Sequence, residues 1–493
     1  MSRIAVIGSG FSGLSAAAYL ASYGHEVTVY EKNSSPGGRA RQIKVPEGYT
    51  FDMGPSWYWM PDVFRRFFMD FDTLPEDYYQ LSLLDPGFEV VYGPGDVLAV
   101  PADYDHLRAL FESIEPGSAG RLDRFMRRAQ YKYDTSIRSL IYSPAYSIRD
   151  YFRTEVFEGI FSLQLFTSMR RHVRRHFKDR RLRALMEFPV LFLGASPDRI
   201  PALYSLMNHA GFRLGTWYPQ GGFGSVIRAM IHIGQREGVS YFFDSPVQEI
   251  IANAGRVRAL VVNGETVETD AVVATADYHH IEADLLPPHY RNYRPSYWQS
   301  RTLAPSCLIY YLGVNKRLPS LKHHTLFFDG DMDLHLKDIY DDPKWPAQPQ
   351  FYVSCTSRTD PSVAPSGHEN LFLLLPLASG ILDTEEIREH YFNVMISRLE
   401  NYTRQTIRPF IDYKQSYCVN DFERDYHAYR GNAYGLANTL RQTAWMKPRM
   451  RNRKLSNLFY AGQLTVPGPG VPPSLISGKI AAGEVLNYFN SGS

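Results

Sequence analysis

The stretch RIAVIGSGFSGLSAAAYLASYGHEVTVYEK, residues 3–32, constrains the fold more than any other part of the chain. Ile4 to Ile7 is a short apolar run of the kind buried in parallel sheets, Leu14 to Tyr23 has helical composition, and His25 to Tyr30 returns to strand residues ending at Glu31. Between the first strand and the helix stand Gly8, Gly10 and Gly13, in the order GxGxxG. The spacing has a physical reason: the first glycine permits a tight turn, the second lets the backbone approach a pyrophosphate, and the third lets helix and strand pack closely. The helix N-terminus then turns its unpaired N–H groups toward a diphosphate. An acid at the end of the second strand, Glu31, accepts hydrogen bonds from ribose hydroxyls and disfavours a 2′-phosphate, so FAD or NAD is expected before NADP.

The rest of the chain must supply the remaining core. At 493 residues it exceeds one ordinary core, and 44% hydrophobic residues suffice for two or three domains. Residues 217–277 return to alternating strands and helices, with strands expected near Ser240 to Phe243, Val247 to Ile251, Val257 to Val262 and Ala271 to Ala274. The GGFG cluster at Gly221 to Gly224 is no second dinucleotide fingerprint, because no strand and acid flank it correctly. Apolar strands at 307–314, 350–355 and 370–377 are expected to floor a substrate domain. The expected class is therefore α/β, with a Rossmann-type dinucleotide-binding domain split over 1–75, 215–290 and 441–493, which the family resemblance below makes an FAD-binding domain. A helical substrate and membrane-associating region is placed at 76–214, and a substrate-binding sheet domain at 291–440.

Formal net charge is only +2, which disfavours nucleic acid as a partner. The three cysteines, Cys307, Cys355 and Cys418, stand far apart without CxxC spacing, so neither a disulfide framework nor a metal site is expected and a reducing, cytoplasmic compartment fits. No signal peptide and no membrane-spanning run of 18 apolar residues is read. Residues 169–197, MRRHVRRHFKDRRLRALMEFPVLFLGASP, place a cluster of arginines before an uncharged run from Phe188 to Ala195. Such a basic face beside apolar surface suits peripheral attachment to an anionic bilayer, and equally a solvated helix before a core segment.

Two sequels follow Glu31. NSSPGGRAR, residues 33–41, presents Arg39 and Arg41 after a flexible turn, placed to reach a diphosphate, and GYTFDMGPSWYWMP follows at 48–61. These pieces, with EFPVLFLGASP, GTWYPQGGFGSVI and the C-terminal FYAGQLTVPGPGVPPSLISGKIAAG, resemble the carotenoid and retinoid oxidoreductases of the flavin amine oxidase superfamily. Within it they are most similar to the bacterial, lycopene-forming phytoene desaturases. The resemblance extends over nearly the whole chain. It implies bound FAD, a hydrophobic C40 substrate drawn from a membrane surface, and stepwise conversion of phytoene through phytofluene, ζ-carotene and neurosporene to lycopene. Related hydroxycarotenoid 3,4-desaturases share the architecture, and a flavin amine oxidase or a flavin-binding isoprenoid carrier of the same fold is the alternative. Oxygen and a membrane quinone are both open as terminal acceptor.

The cofactor-contacting set expected from these motifs is Gly8, Ser9, Gly10, Phe11, Ser12, Gly13, Glu31, Lys32, Gly38 and Arg39 near the N-terminus. Met53, Gly54, Pro55 and Ser56 follow, then Val247 beside the adenine, and Gly462, Gln463, Gly470 and Val471 at the redox end. Pro472 and Pro473 are expected to open a helix whose N-terminus faces the flavin edge where negative charge appears on reduction. Asp150 and Arg153 match a position where the desaturases carry an Asp and an Arg. They are candidates to shuttle the released proton, a surface ion pair being the alternative.

Overall fold

In a five-stranded parallel sheet the N-terminal strand β1 (Arg3–Ile7) is central, flanked by β2 (Glu26–Tyr30) and, through it, β3 (Ser240–Phe242) on one side. On the other side lie β4 (Ala271–Ala274) and β5 (Leu458–Tyr460). The structure, a computed structural model, describes residues 1–137, 141–146 and 164–491. Val6 stands opposite Val29 and Val273, and all three are fully buried. β-branched residues on inner strands of a sheet covered on both faces give this near-continuous apolar pattern. The sheet thus gathers strands from the start, the middle and the end of the chain.

Four helices belong to this sheet: α1 (Phe11–Ser22), α2 (Phe223–Arg236), α3 (Tyr278–Ala283) and α4 (Val471–Ser491). α1 begins one turn before the apolar spacing suggests, because the Gly10 carbonyl already accepts the Leu14 N–H at 2.9 Å. Small residues bring α4 against it. A Cβ on Gly478 would lie 2.3 Å from the Ser12 carbonyl, and Ser15 Oγ donates to the Leu475 carbonyl at 2.8 Å. The GGFG cluster has a packing role. Asp52 accepts the Phe223 N–H at 2.9 Å and the Gln42 amide at 2.8 Å, and a Cβ on Gly224 would lie 1.9 Å from Gln42 Oε1. The Asp52 carboxyl, pushed up by burial to about 6, so joins the start of α2 to the strand that precedes Met53.

A second, seven-stranded sheet carries the other half of the molecule. Its order is Ile411–Tyr417, Ser306–Val314, Glu369–Leu377, Phe351–Ser354, His324–Phe327, Phe88–Gly93 and Asp96–Val100. All neighbours are antiparallel except His324–Phe327 with Phe88–Gly93. Ser306–Val314 is buried at every residue, and its two faces part by the period of two. Leu308, Tyr310 and Leu312 pack with Phe392, Met395 and Leu399 of the helix Glu385–Thr403. Cys307, Ile309 and Tyr311 turn the other way, into the core that surrounds the site.

Two expectations need correction. The region read as helical, 76–214, contains the hairpin of Phe88–Gly93 and Asp96–Val100, whose turn and β-branched residues complete the second sheet. In 169–197 the apolar run is not a surface: Phe188, Val190, Leu193 and Ala195 are all buried. Arg170 is engaged by Glu187, Asp198 and Asp333, and Arg180 and Arg181 by Asp96. Arg171, Arg174, Arg175 and Lys178 remain exposed. Among the described residues no helix is long and apolar enough to cross a membrane.

Candidate active site

Two cavities meet between the sheets. One, about 260 Å³, runs from the carboxyl end of the parallel sheet, where ligands of open α/β sheets bind, toward the second sheet. The other, about 230 Å³, continues beyond it, and Gly54, Pro55, Cys307, Leu374, Gly470 and Val471 line both.

The first cavity is built from the fingerprint outward. Gly8 turns at φ +100°, its N–H held by the Tyr30 carbonyl at 2.8 Å. A Cβ on Gly10 would meet no protein atom within 4 Å, so its face is open toward the cavity. Phe11, Ser12, Lys32, Gly38 and Arg39 border the same space, as do Met53 and Val247, and Gly462 and Gln463 lie at its other end. Ser9 and Gly13 stand behind the wall. Ser9 is wholly buried and donates through both N–H and Oγ to Glu31 Oε2, at 2.9 and 2.8 Å. Glu31 Oε1 takes the N–H and side-chain amide of Asn33, at 2.9 and 2.8 Å. The acid expected to meet the ribose therefore braces the glycine loop, a duty invisible in a motif. Ser56 belongs to the second cavity, where it accepts from the Tyr352 hydroxyl at 2.9 Å. Asp150 and Arg153 lie outside the described residues.

The two arginines part company. Arg39 lines the cavity, whereas Arg41 stands behind it and bridges the lining acid Asp425 at 3.1 Å. Arg39 Nη2 reaches the Asn432 carbonyl at 3.3 Å and, with the Gln463 amide turned to satisfy both groups, Gln463 Oε1 at 3.0 Å. Arg39 Nε is buried without a partner among the described residues. Across the same cavity stands Asp277, unforeseen in the sequence, whose Oδ1 caps α3 through the His279 and His280 N–H groups, at 3.0 and 3.4 Å. Its Oδ2 is likewise buried and unpartnered among the described residues. Burial pushes the Asp277 carboxyl up and the Arg39 guanidinium down, and each opposes the other's shift. An unused cationic donor and an unused acceptor lining one cavity fit a ligand that carries both phosphate and hydroxyl groups. These residues fit FAD: the open Gly10 face and Arg39 would hold the diphosphate, and Glu31 and Asp277 its hydroxyls. The signal for Asp277 was the acid directly after VVATA, at the carboxyl end of β4.

The redox end is tied to α4. The Gly462 N–H donates to Ser477 Oγ at 3.0 Å, and Thr465 Oγ1 reaches both Ser477 Oγ at 3.0 Å and the Gly462 carbonyl at 2.9 Å. The first turn of α4, at Val471 and Ser474, borders the first cavity, so the positive end of the helix faces it. Behind the loop lies Lys447, 4% exposed. Its Nζ has no partner among the described residues, and its Cε would lie 3.3 Å from a Cβ on Gly468. Burial pulls its ammonium down to about 7. The folded protein therefore holds fewer protons than the unfolded chain between about pH 7 and the ordinary lysine value. The Lys447 contribution to stability is full at high pH and is lost as pH falls toward 7. Lys447→Met is expected to stabilise the protein at pH 7 by on the order of 2–4 kcal/mol and by far less at pH 10, measured by denaturant unfolding.

The wall of the second cavity comprises Trp57, Trp59, Phe188, Met207, Leu336, Ile339 and similar apolar groups. Among the described residues no acid, lysine or arginine lines it. His335 is held neutral, its value pulled down by burial to about 4, with Nε2–H donating to the Pro376 carbonyl at 2.9 Å and Nδ1 accepting the Gln350 N–H at 3.0 Å.

A model of the flavin containing amine oxidoreductase family matches residues 11–486. The chain belongs to that family. A carotenoid 3,4-desaturase of Haloarcula japonica is 41% identical over 484 residues, covering 98% of each chain. A zeta-carotene-forming phytoene desaturase of Myxococcus xanthus is 31% identical over 497 residues, covering 99% of this chain and 95% of its own. Among solved structures, putrescine oxidase with putrescine bound superposes with a TM-score of 0.61 at 12% identity, covering 99% of each chain. An oxidoreductase from Methanosarcina mazei gives 0.60 at 16%, covering 97% of this chain and 99% of its own. The structural likenesses speak for the fold. The sequence relatives place the chain among the carotenoid desaturases, FAD-dependent oxidoreductases acting on CH–CH groups.

Proposed function

We propose that the chain dehydrogenates an acyclic C40 carotenoid at its 3,4 bond. The observation that carries this reading is a cavity lined by no charged side chain among the described residues and confluent with the cavity that fits FAD. An ammonium substrate would lose its hydration there without an anionic partner, whereas a polyene loses nothing and gains burial against Trp59, Met207 and Ile339. FAD, when bound, supplies a two-electron acceptor for a CH–CH unit. The chain's own part is alignment and exclusion of water. Leu374, Cys307 and Val471 form the shared wall past which the substrate reaches the cofactor, and the α4 N-terminus favours the negative charge that follows electron uptake.

The choice of bond rests on the 41% identity to a carotenoid 3,4-desaturase. Stepwise conversion of phytoene to lycopene is the second reading, favoured by the 31% identity to a phytoene desaturase. A substrate without polar handles is best taken from a bilayer, so the reading includes peripheral attachment at the cytoplasmic face of a membrane. The exposed Arg171, Arg174, Arg175 and Lys178 would meet anionic lipid, and oxygen or a membrane quinone would receive the electrons. Flavin-loaded enzyme incubated with carotenoids in liposomes should give products lighter by two hydrogens, with the new double bond at C3–C4 by chromatography and mass spectrometry. Recovery of phytofluene or ζ-carotene from phytoene, with 3,4-products absent, would replace the first reading by the second.

A further inference from the structure

Gln350 lines the second cavity and is only 3% exposed, yet neither Oε1 nor Nε2 has a partner among the described residues. Several polar groups of the same wall are engaged elsewhere. Both nitrogens of His335 are already used, one by the Gln350 backbone N–H and one by the Pro376 carbonyl. Ser56 and Tyr352 bond to each other, and Ser306 Oγ donates to the Gly431 carbonyl at 2.6 Å. The backbone of Gln350 is fixed by its bond to His335 at the start of the strand Phe351–Ser354. The amide lies beside the turn between Phe328 and Met332, two further wall residues, with Nε2 3.5 Å from where a Cβ on Gly330 would sit.

We infer that Gln350 is a specificity-determining residue that receives a hydroxyl group carried on the otherwise apolar chain of the substrate. A carboxamide offers one acceptor and one donor group side by side, and a hydroxyl both donates and accepts. An ammonium would leave the Nε2 donors unused, and a carboxylate would leave Oε1 unused. In a wall otherwise free of charge, a carboxamide without protein partners selects for the substrate that satisfies it and against the analogue that leaves it bare. This rests on the desaturase reading and adds to it the residue that meets a hydroxyl on the substrate.

The test uses flavin-loaded enzyme and two acyclic carotenoids of one carbon skeleton in liposomes, one bearing a terminal tertiary hydroxyl and one without it. The wild type should favour the hydroxylated substrate by about tenfold or more in kcat/KM. Gln350→Leu and Gln350→Met should bring that ratio near unity by losing rate on the hydroxylated substrate alone. Their thermal stability should be unchanged or higher, since an apolar side chain replaces two unpartnered polar atoms. A ratio equal in wild type and both variants overturns the role of Gln350 while leaving the desaturase reading intact. A wild type that turns over neither carotenoid overturns the desaturase reading, and the inference with it.

Discussion

Gly13→Ala is expected to purify without flavin. A Cβ at this position would lie 2.0 Å from the Gly8 carbonyl oxygen and 2.8 Å from Thr275 Oγ1, both inside any tolerable contact. The Gly8 turn cannot recede, because its N–H is bound to the Tyr30 carbonyl and its own carbonyl accepts from Thr275 Oγ1 at 3.0 Å. Relief must come from lifting α1 off β1, which moves the open Gly10 face and the helix N-terminus away from the diphosphate. Overpacking of this kind costs about 3 kcal/mol or more, roughly a hundredfold in FAD affinity. Gly10→Ala makes the informative comparison, since its Cβ meets no protein atom. That variant should keep the stability of the apoprotein while weakening FAD. Equimolar flavin in purified Gly13→Ala would show that the loop closes on the cofactor differently.

Val471→Asp is the second large effect, and it separates binding from turnover. Val471 opens α4 and borders both cavities, so an acid there is compatible with the helix, whose N-terminus favours negative charge. The FAD content should therefore persist. The same carboxylate stands where an apolar chain must pass, and it cancels the positive helix end that assists electron uptake. Expelling the substrate from beside a fixed charge costs about 3 kcal/mol or more, so flavin reduction by carotenoid should slow roughly a hundredfold. Stopped-flow absorbance reads that rate, and a lower flavin midpoint potential should accompany it. Val471→Asp enzyme reduced by carotenoid at the wild-type rate would place the substrate elsewhere.

What the sequence disclosed follows the range of the interactions. Gly8, Gly10, Gly13 and Glu31 were legible because strand, turn, helix and acid lie within one βαβ unit and obey local geometry. The last helix was legible for the same reason, since two prolines and a stripe of small residues prescribe its start and its close partner. Arg39 and Arg41 are two residues apart, and only the distant Asp425, which holds Arg41 in an ion pair, leaves Arg39 as the one that lines the cavity. The basic cluster at 169–183 looked like an open charged face because Asp96 and Asp333, which engage its members, come from elsewhere in the chain. Phe188, Val190, Leu193 and Ala195 looked like surface because the residues that cover them, Trp57 and Phe88 over Phe188 among them, lie far away in the sequence. Asp277 offered only the faint signal of an acid after VVATA, whereas Cys307, Gln350 and Leu374 carry no motif and acquire meaning only when two sheets bring their walls together. The hairpin at 88–100 was missed because its parallel partner, His324–Phe327, lies more than two hundred residues onward.

On the proposed function, the apolar cavity delivers a polyene to FAD. The most direct measurement of that delivery is anaerobic addition of an acyclic carotenoid in liposomes to the flavin-loaded protein, with flavin and polyene absorbance followed together. The oxidised flavin should bleach in step with a red shift of the polyene band, one added double bond per flavin. Flavin that stays oxidised with every carotenoid, yet is bleached by a primary amine, would contradict it.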